Sequence, residues 1–319
     1  MKNKKYFLFV TLIFISNIIF AKDKVFSITI EEFYGNRNGT ILESVFELHN
    51  NEYKRLSQLD WEHFCNFYIG DRVTFSIFDF NLSLHAAGFI PKRSGVMKDS
   101  DWLDLTNVKN IYSISENYLL NSFFLGTKLS YDFKITNWFS LSPAVAFDYN
   151  NTYFEAKNGY GWYGAATYTS TGKNESWDSE YAKFFPTGKL YGITYNRMSL
   201  ETWIGGTTSF APTEKIKFNI SAFINPVIYM ESFDHHINKG YYADIAYNYF
   251  QAFKGNIEIS YFIIKPFSIN LATSIKYIKE TQGLSFFSND GKDYFQLSDV
   301  KSGSGETIFD ITLSASYQF

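Results

Sequence analysis

Apolar and polar residues alternate along much of this chain with a period of two. Near the C-terminus Phe309, Ile311, Leu313, Ala315, Tyr317 and Phe319 alternate with Asp310, Thr312, Ser314, Ser316 and Gln318. That period sends the two sets to opposite faces of a strand. The same pattern recurs at 269–277, 216–221 and 123–133. Between 59 and 77 the odd positions hold Leu59, Trp61, Cys65, Phe67, Ile69, Val73, Phe75 and Ile77, whereas Phe80, Leu82 and Leu84 occupy even ones. A slip of one residue marks a turn or bulge. It predicts a turn near 77–81 rather than at Gly70–Asp71, through which the alternation runs unbroken.

Extended along the chain, this reading predicts about ten strands: 24–47, 54–77, 80–92, 114–133, 138–157, 184–208, 215–231, 244–264, 268–281 and 304–319. Connections near 77–81, 134–137, 209–214 and 265–267 are short. Those at 93–113, 158–183, 232–243 and 282–303 are longer and rich in Gly, Ser, Asn and Asp. A soluble sandwich also alternates, but a chain that ends on its strand at an aromatic resembles outer-membrane barrels. Short turns at one end and long loops at the other fit the same class, with the long loops on the cell exterior. The expected fold is all-β: a ten-stranded antiparallel transmembrane β-barrel. Each strand has roughly 30 residues of chain where roughly 9–11 cross a membrane. The surplus is expected to stand above the bilayer as a wall around a narrow lumen.

Composition supports this. Aromatics make up 20% of the 319 residues, with 34 Phe and 24 Tyr against 6 Pro, which suits strands and excludes disorder. A mean hydropathy of −0.18 speaks against a bundle of membrane helices. Lys2, Lys4 and Lys5 precede an apolar run over 6–20 and then Ala21. This reads as a signal peptide, 1–21, cleaved after Ala21 to leave a barrel domain of 22–319. Its loss makes the net charge more negative than −3, so no basic surface for nucleic acid is expected. The one cysteine, Cys65, allows no internal disulfide and reads as a small buried or lipid-facing apolar side chain.

Two constellations could carry chemistry. One is Gly95-Val96-Met97-Lys98-Asp99-Ser100-Asp101-Trp102-Leu103-Asp104; the other is Ser232-Phe233-Asp234-His235-His236. In each, acid and partner are two residues apart, so an extended chain points them the same way. A carboxylate beside a histidine can orient the imidazole and raise its basicity. Spacing alone leaves the acids as ordinary solvated loop residues. It matches no zinc-protease helix motif, so neither metal nor cofactor is expected.

Taken together, Leu56-Ser57-Gln58-Leu59-Asp60-Trp61, Ala86-Ala87-Gly88, Met97 to Trp102 and Asp234-x-His236 resemble the omptin family of outer-membrane endopeptidases. The resemblance spans the mature chain. It implies that Asp99 and Asp101 face Asp234 and His236, that His236 is general base to a water, and that no covalent intermediate forms. It also implies substrate contacts at Glu43, Met97 and position 232, with cleavage beside basic residues, and spacing alone gives Ile193 as the pocket floor. Position 232 is Ser232 where the family has an acid, which weakens that preference unless Glu231 or Glu47 compensates. Phe147, Tyr149 and Asn151 stand where the family places charges for lipopolysaccharide, so dependence on that lipid is doubtful. The outward phase of the strand from Ile216 would aim Asp234 and His236 away from the lumen. A bulge is therefore required before them, and Pro226 marks its expected place.

These readings point to a monomeric outer-membrane endopeptidase, its site facing the exterior and taking extracellular proteins or peptides. The alternatives are a non-catalytic adhesin or receptor on the same barrel and, less in keeping with a narrow lumen, a small channel.

Overall fold

The computed structural model describes residues 26–188, 192–237 and 240–319. The expected signal peptide and its cleavage point lie outside the described residues. Among the described residues there is no helix. Ten long antiparallel strands close into a ring. They are β1 Phe26–His49, β2 Glu52–Ile77, β3 in two segments, Phe80–Phe89 and Lys92–Asp101, β4 Ile111–Tyr131 and β5 Phe139–Tyr163. The ring continues with β6 Ile193–Thr213, β7 as Ile216–Ile224 and Ile228–His236, β8 as Gly240–Asn248 and Ala252–Ile264, β9 Phe267–Ser288 and β10 Phe295–Gln318. Closure comes from β1 on β10, registered from Thr29↔Gln318 to Glu47↔Val300. Closing the sheet leaves no unpaired edge, the condition a strand protein must meet in lipid.

Several connections are shorter than the sequence suggests. The expected loop 93–113 contracts to 102–110, 232–243 to the turn between His236 and Gly240, and 282–303 to 289–294. Asp99, Asp101 and Asp234 are therefore strand residues, not loop residues. The polar composition of these stretches is that of strands whose inner face is a site, and alternation of apolar residues cannot register them. The long segment after β5 keeps one short strand, Lys183–Phe185, beside β5.

The barrel has two storeys. Towards the short turns, Phe67, Ile69, Leu82, Leu84, Leu125 and Leu129 point outward and exposed, while the lumen is lined by Arg72, His85, Lys128, Asp148 and other polar groups. This is the apolar-out, polar-in arrangement of a lipid-embedded wall. Towards the loops, the apolar residues turn inward instead. Leu59, Trp61, Met97, Leu119, Phe154, Ile193 and Tyr195 pack as a buried cluster, with Trp61 stacked on Tyr195 at 5.1 Å and on Phe154 at 5.8 Å. A second cluster, including Trp203, Ile228, Met230 and Ile278, fills the opposite side.

Bulges separate the storeys. In β2 the unbroken odd-position apolar run conceals a change of face at Cys65, whose φ is 51°. Trp61 and His63 are buried above it, whereas Phe67 and Ile69 are exposed below it. β3 breaks at Ile90 and Pro91, and β7 at Asn225, Pro226 and Val227, beside a matching break in β8 at 249–251. Asparagines satisfy the backbone groups that these breaks release. Asn225 Nδ2 donates to Asn248 O at 3.1 Å, Ala252 N donates to Asn225 Oδ1 at 2.7 Å, and Asn117 Nδ2 donates to Glu62 O at 2.9 Å.

Candidate active site

The break at Pro226 aims the histidine couple. Below it Ile220 and Ile224 face outward; above it Met230, Ser232 and Asp234 are buried, so even-numbered residues have turned inward. This is the bulge that the sequence required. On the opposite wall Gly95 plays the same part. It has φ +72°, a conformation that favours glycine, at a register shift between Arg93 and Val96. Glu62 secures this bulge by accepting from Val96 N at 3.1 Å and from Lys98 Nζ at 2.7 Å. The phase then runs Met97, Asp99, Asp101.

Asp234 is 5% exposed, and its Oδ2 lies 2.7 Å from His236 Nε2. The imidazole meets Tyr242 edge-on at 5.4 Å, which limits its rotation. With Nε2 given to Asp234, Nδ1 is the nitrogen left to accept a proton. His235 is on the other face, stacked on Tyr241 at 4.0 Å.

The second couple stands in register with the first strand. Glu43 pairs with Leu59, Leu59 with Asp99, and Asp99 with Ser113, in one row across β1 to β4. Residues directly opposite on neighbouring strands share a face. Both couples act on Glu43: burial, Asp234, Asp244 and Asp99 push its carboxyl well above the usual range, against the Trp61 indole. That indole N–H donates to Glu43 Oε2 at 3.0 Å. Asp99 and Asp101, after burial, also push up the Tyr163 hydroxyl and keep it a neutral donor.

Met97 and Ile193 do not stand apart as a pocket. Both are buried in the aromatic cluster beneath the acids, with Ile193 directly opposite His236. Ser232 is buried on the inner face. The two acids suggested as substitutes for the missing one are elsewhere. Glu231 is on the alternate face, beside Tyr229. Glu47 lies beyond a bulge between Val45 and Phe46 that reverses the phase.

Two residues that sequence reasoning passed over join the site. Tyr163 is one. Asp244 is the other: it pairs with Ser232 on one side and Ser285 on the other, and burial followed by Asp234 pushes its carboxyl well above the usual range. Treating 232–243 as loop hid it. A hairpin centred between His236 and Gly240 places residue 244 opposite 232 by counting alone.

Among the described residues no group of three or more His, Cys, Asp or Glu side chains is arranged to hold a metal. The arrangement suits activation of a water between a His–Asp couple and facing carboxylates.

The fold resembles that of outer membrane protease OmpT from Escherichia coli, with a TM-score of 0.80 at 16% identity over 93% of this chain and 99% of that one. OprG from Pseudomonas aeruginosa scores 0.36 at 10% identity, covering 92% and 95% of the two chains. The transport unit of autotransporter AIDA-I from Escherichia coli scores 0.35 at 11%, covering 98% and 97%. No match was found among curated proteins. The profile of the Omptin family matches residues 24–319. This chain therefore belongs to the omptin family, whose barrels are proteases of the bacterial outer membrane.

Proposed function

We propose that this protein is an endopeptidase that hydrolyses extracellular proteins or peptides at the cell surface, with the loop end of the barrel facing outward. The observation that carries this reading is the Asp234–His236 couple, 2.7 Å long with its carboxylate buried, which acts on Glu43 together with Asp99. A water held between the couples attacks the peptide carbonyl carbon while His236 Nδ1 takes its proton. Asp234 keeps the imidazole oriented and stabilises the imidazolium that forms. Asp99 and Asp101 position the water and, with Tyr163, meet the tetrahedral intermediate. His236 then returns the proton to the departing amine as the C–N bond breaks. No bond to the enzyme forms at any step.

The substrate enters from the loop end, with cleavage beside a basic residue favoured by the buried Glu43 carboxylate. Phe147 is outward and exposed and Tyr149 lies against Phe123, so neither position supplies a charge for a lipopolysaccharide headgroup. Activation by that lipid forms no part of the proposal.

The test is hydrolysis of a diverse peptide library by refolded barrel and by His236→Ala. Cleavage by the wild type with loss in the variant is expected. Equal background for both would sink the reading and leave a non-catalytic surface receptor in its place.

A further inference from the structure

Ser232 leaves one acid fewer on β7 than a basic specificity needs, yet the mouth of the barrel is not short of carboxylates. Ser232 and Asp244 are directly opposite in the β7–β8 ladder, so their side chains share the inner face with Cβ atoms about 5 Å apart. Asp244 is 7% exposed and receives the Ser285 hydroxyl. Its Oδ1 is buried with no hydrogen-bond partner among the described residues. Leaving such an oxygen unsatisfied is costly, and it is the kind of group a ligand cation relieves.

The surroundings lack that cation. Asp244 is close enough to raise the proton affinity of Glu43, and Asp234 acts on both. Around them stand His236 and Ser232 on β7, Asp99 on β3, Tyr195 and Arg197 on β6, and Ser285 on β9. Arg197 is committed elsewhere, to Glu306. Among the described residues no Lys or Arg forms an ion pair with Glu43 or Asp244.

The geometry points to Asp244 as the second acid of a cation subsite shared with Glu43, which takes the Lys or Arg side chain of a substrate next to the Asp234–His236 couple. The specificity acid has moved one strand round the barrel, from β7 to β8, and kept its place on the inner face. This inference rests on the endopeptidase reading for its substrate, but not for its chemistry. An empty subsite of mutually repelling acids retains a proton. Entry of a guanidinium or ammonium group releases it, so occupancy strengthens as pH rises through the range where the pair would otherwise hold that proton.

The experiment has two arms on full-length mature barrel. The first measures binding of benzamidine, and of an Arg-containing peptide, to His236→Ala protein by calorimetry in two buffers of different ionisation enthalpy. Asp244→Asn in that background is expected to weaken binding roughly 30-fold or more and to reduce the protons released. The swap Ser232→Asp with Asp244→Ser is expected to recover most of the affinity. The second arm is a cleavage profile, in which Asp244→Asn raises KM for Arg and Lys sites more than it changes kcat. Unchanged guanidinium affinity and unchanged basic preference in Asp244→Asn would overturn the subsite while leaving the protease. Asp244-dependent binding without any peptide cleavage would overturn the protease while leaving the subsite. Glu43→Gln provides the second handle if Asp244→Asn does not fold.

Discussion

Midway down the lumen, Glu306 is held between Arg197 and Lys276, Lys276 also bonds Glu201 at 2.9 Å, and Arg37 makes two bonds of 2.9 Å to Asp310. At the mouth, Glu43 and Asp244 are buried as deeply, but an indole and a serine hydroxyl are the donors they meet. The first set is a structural network in which each carboxylate has a cation. The second keeps its acids short of cations, an arrangement that costs stability and suits groups whose partner arrives from outside. The two roles are thus kept on different sets of side chains, even where they are neighbours: Arg197 stands in the same cross-strand row as Ser232 and Asp244.

The contrast can be broken from either side. The largest effect is expected at the couple itself: His236→Ala should lower kcat/KM for peptide hydrolysis by roughly 10²–10⁴-fold. Its unfolding midpoint in detergent should stay close to wild type, because the mouth contributes little to stability. Arg197→Met should do the reverse. It leaves buried Glu306 with Lys276 as its one remaining cation, and the expected loss is about 3 kcal/mol by denaturant titration. A mouth variant that unfolds the barrel as severely as Arg197→Met would erase the distinction between the two sets. Gly95→Ala should fall between. A Cβ there meets Glu62 Oε2 at 2.6 Å in a backbone conformation that L side chains avoid, so Asp99 loses its aim. Activity should drop roughly 10- to 100-fold, a cost of about 1–3 kcal/mol in the backbone; wild-type turnover would refute the positioning role.

The smallest effect has the opposite sign and sharpens the comparison most. Burial and Asp234 raise the proton affinity of Asp244. A carboxyl whose proton affinity is raised by folding favours the folded state at low pH. That contribution is lost as pH climbs from the unfolded value, about 4, through the folded one. Asp244→Asn removes the penalty, and at neutral pH it should raise the unfolding midpoint by roughly 2–4 °C. The wild-type midpoint should fall more steeply than the variant's as pH rises above about 4. Parallel curves would show that Asp244 is neutralised by a cation after all.

The lower storey was legible because lipid and lumen impose opposite polarity on alternate residues, as Leu82, Leu84, Ile269 and Leu271 show. The upper storey was not, for the same reason. There, acids and small polar residues share the inner face with Trp61 and Met97, and no single period separates them. The odd-position run through β2 is instructive: it keeps its phase in sequence while the residues change face at Cys65. Counted as one lipid-facing strand, it would describe a bilayer far too thick. The required break at Pro226 could be inferred because two chemically marked residues, Asp234 and His236, pointed the wrong way. Asp244 had no such marker, and finding it needed the register of a hairpin whose turn was taken as a loop.

The stacked floor of Trp61, Phe154 and Tyr195, all 0% exposed, governs traffic as well as packing. Under the proposed function, a peptide bound at the mouth has this buried stack beneath it, so products would leave on the side from which the substrate came. A fragment with a new basic end would also have to leave the acids proposed to hold it. Departure would then limit turnover as readily as bond breaking, and fragments with terminal arginine are expected to inhibit it.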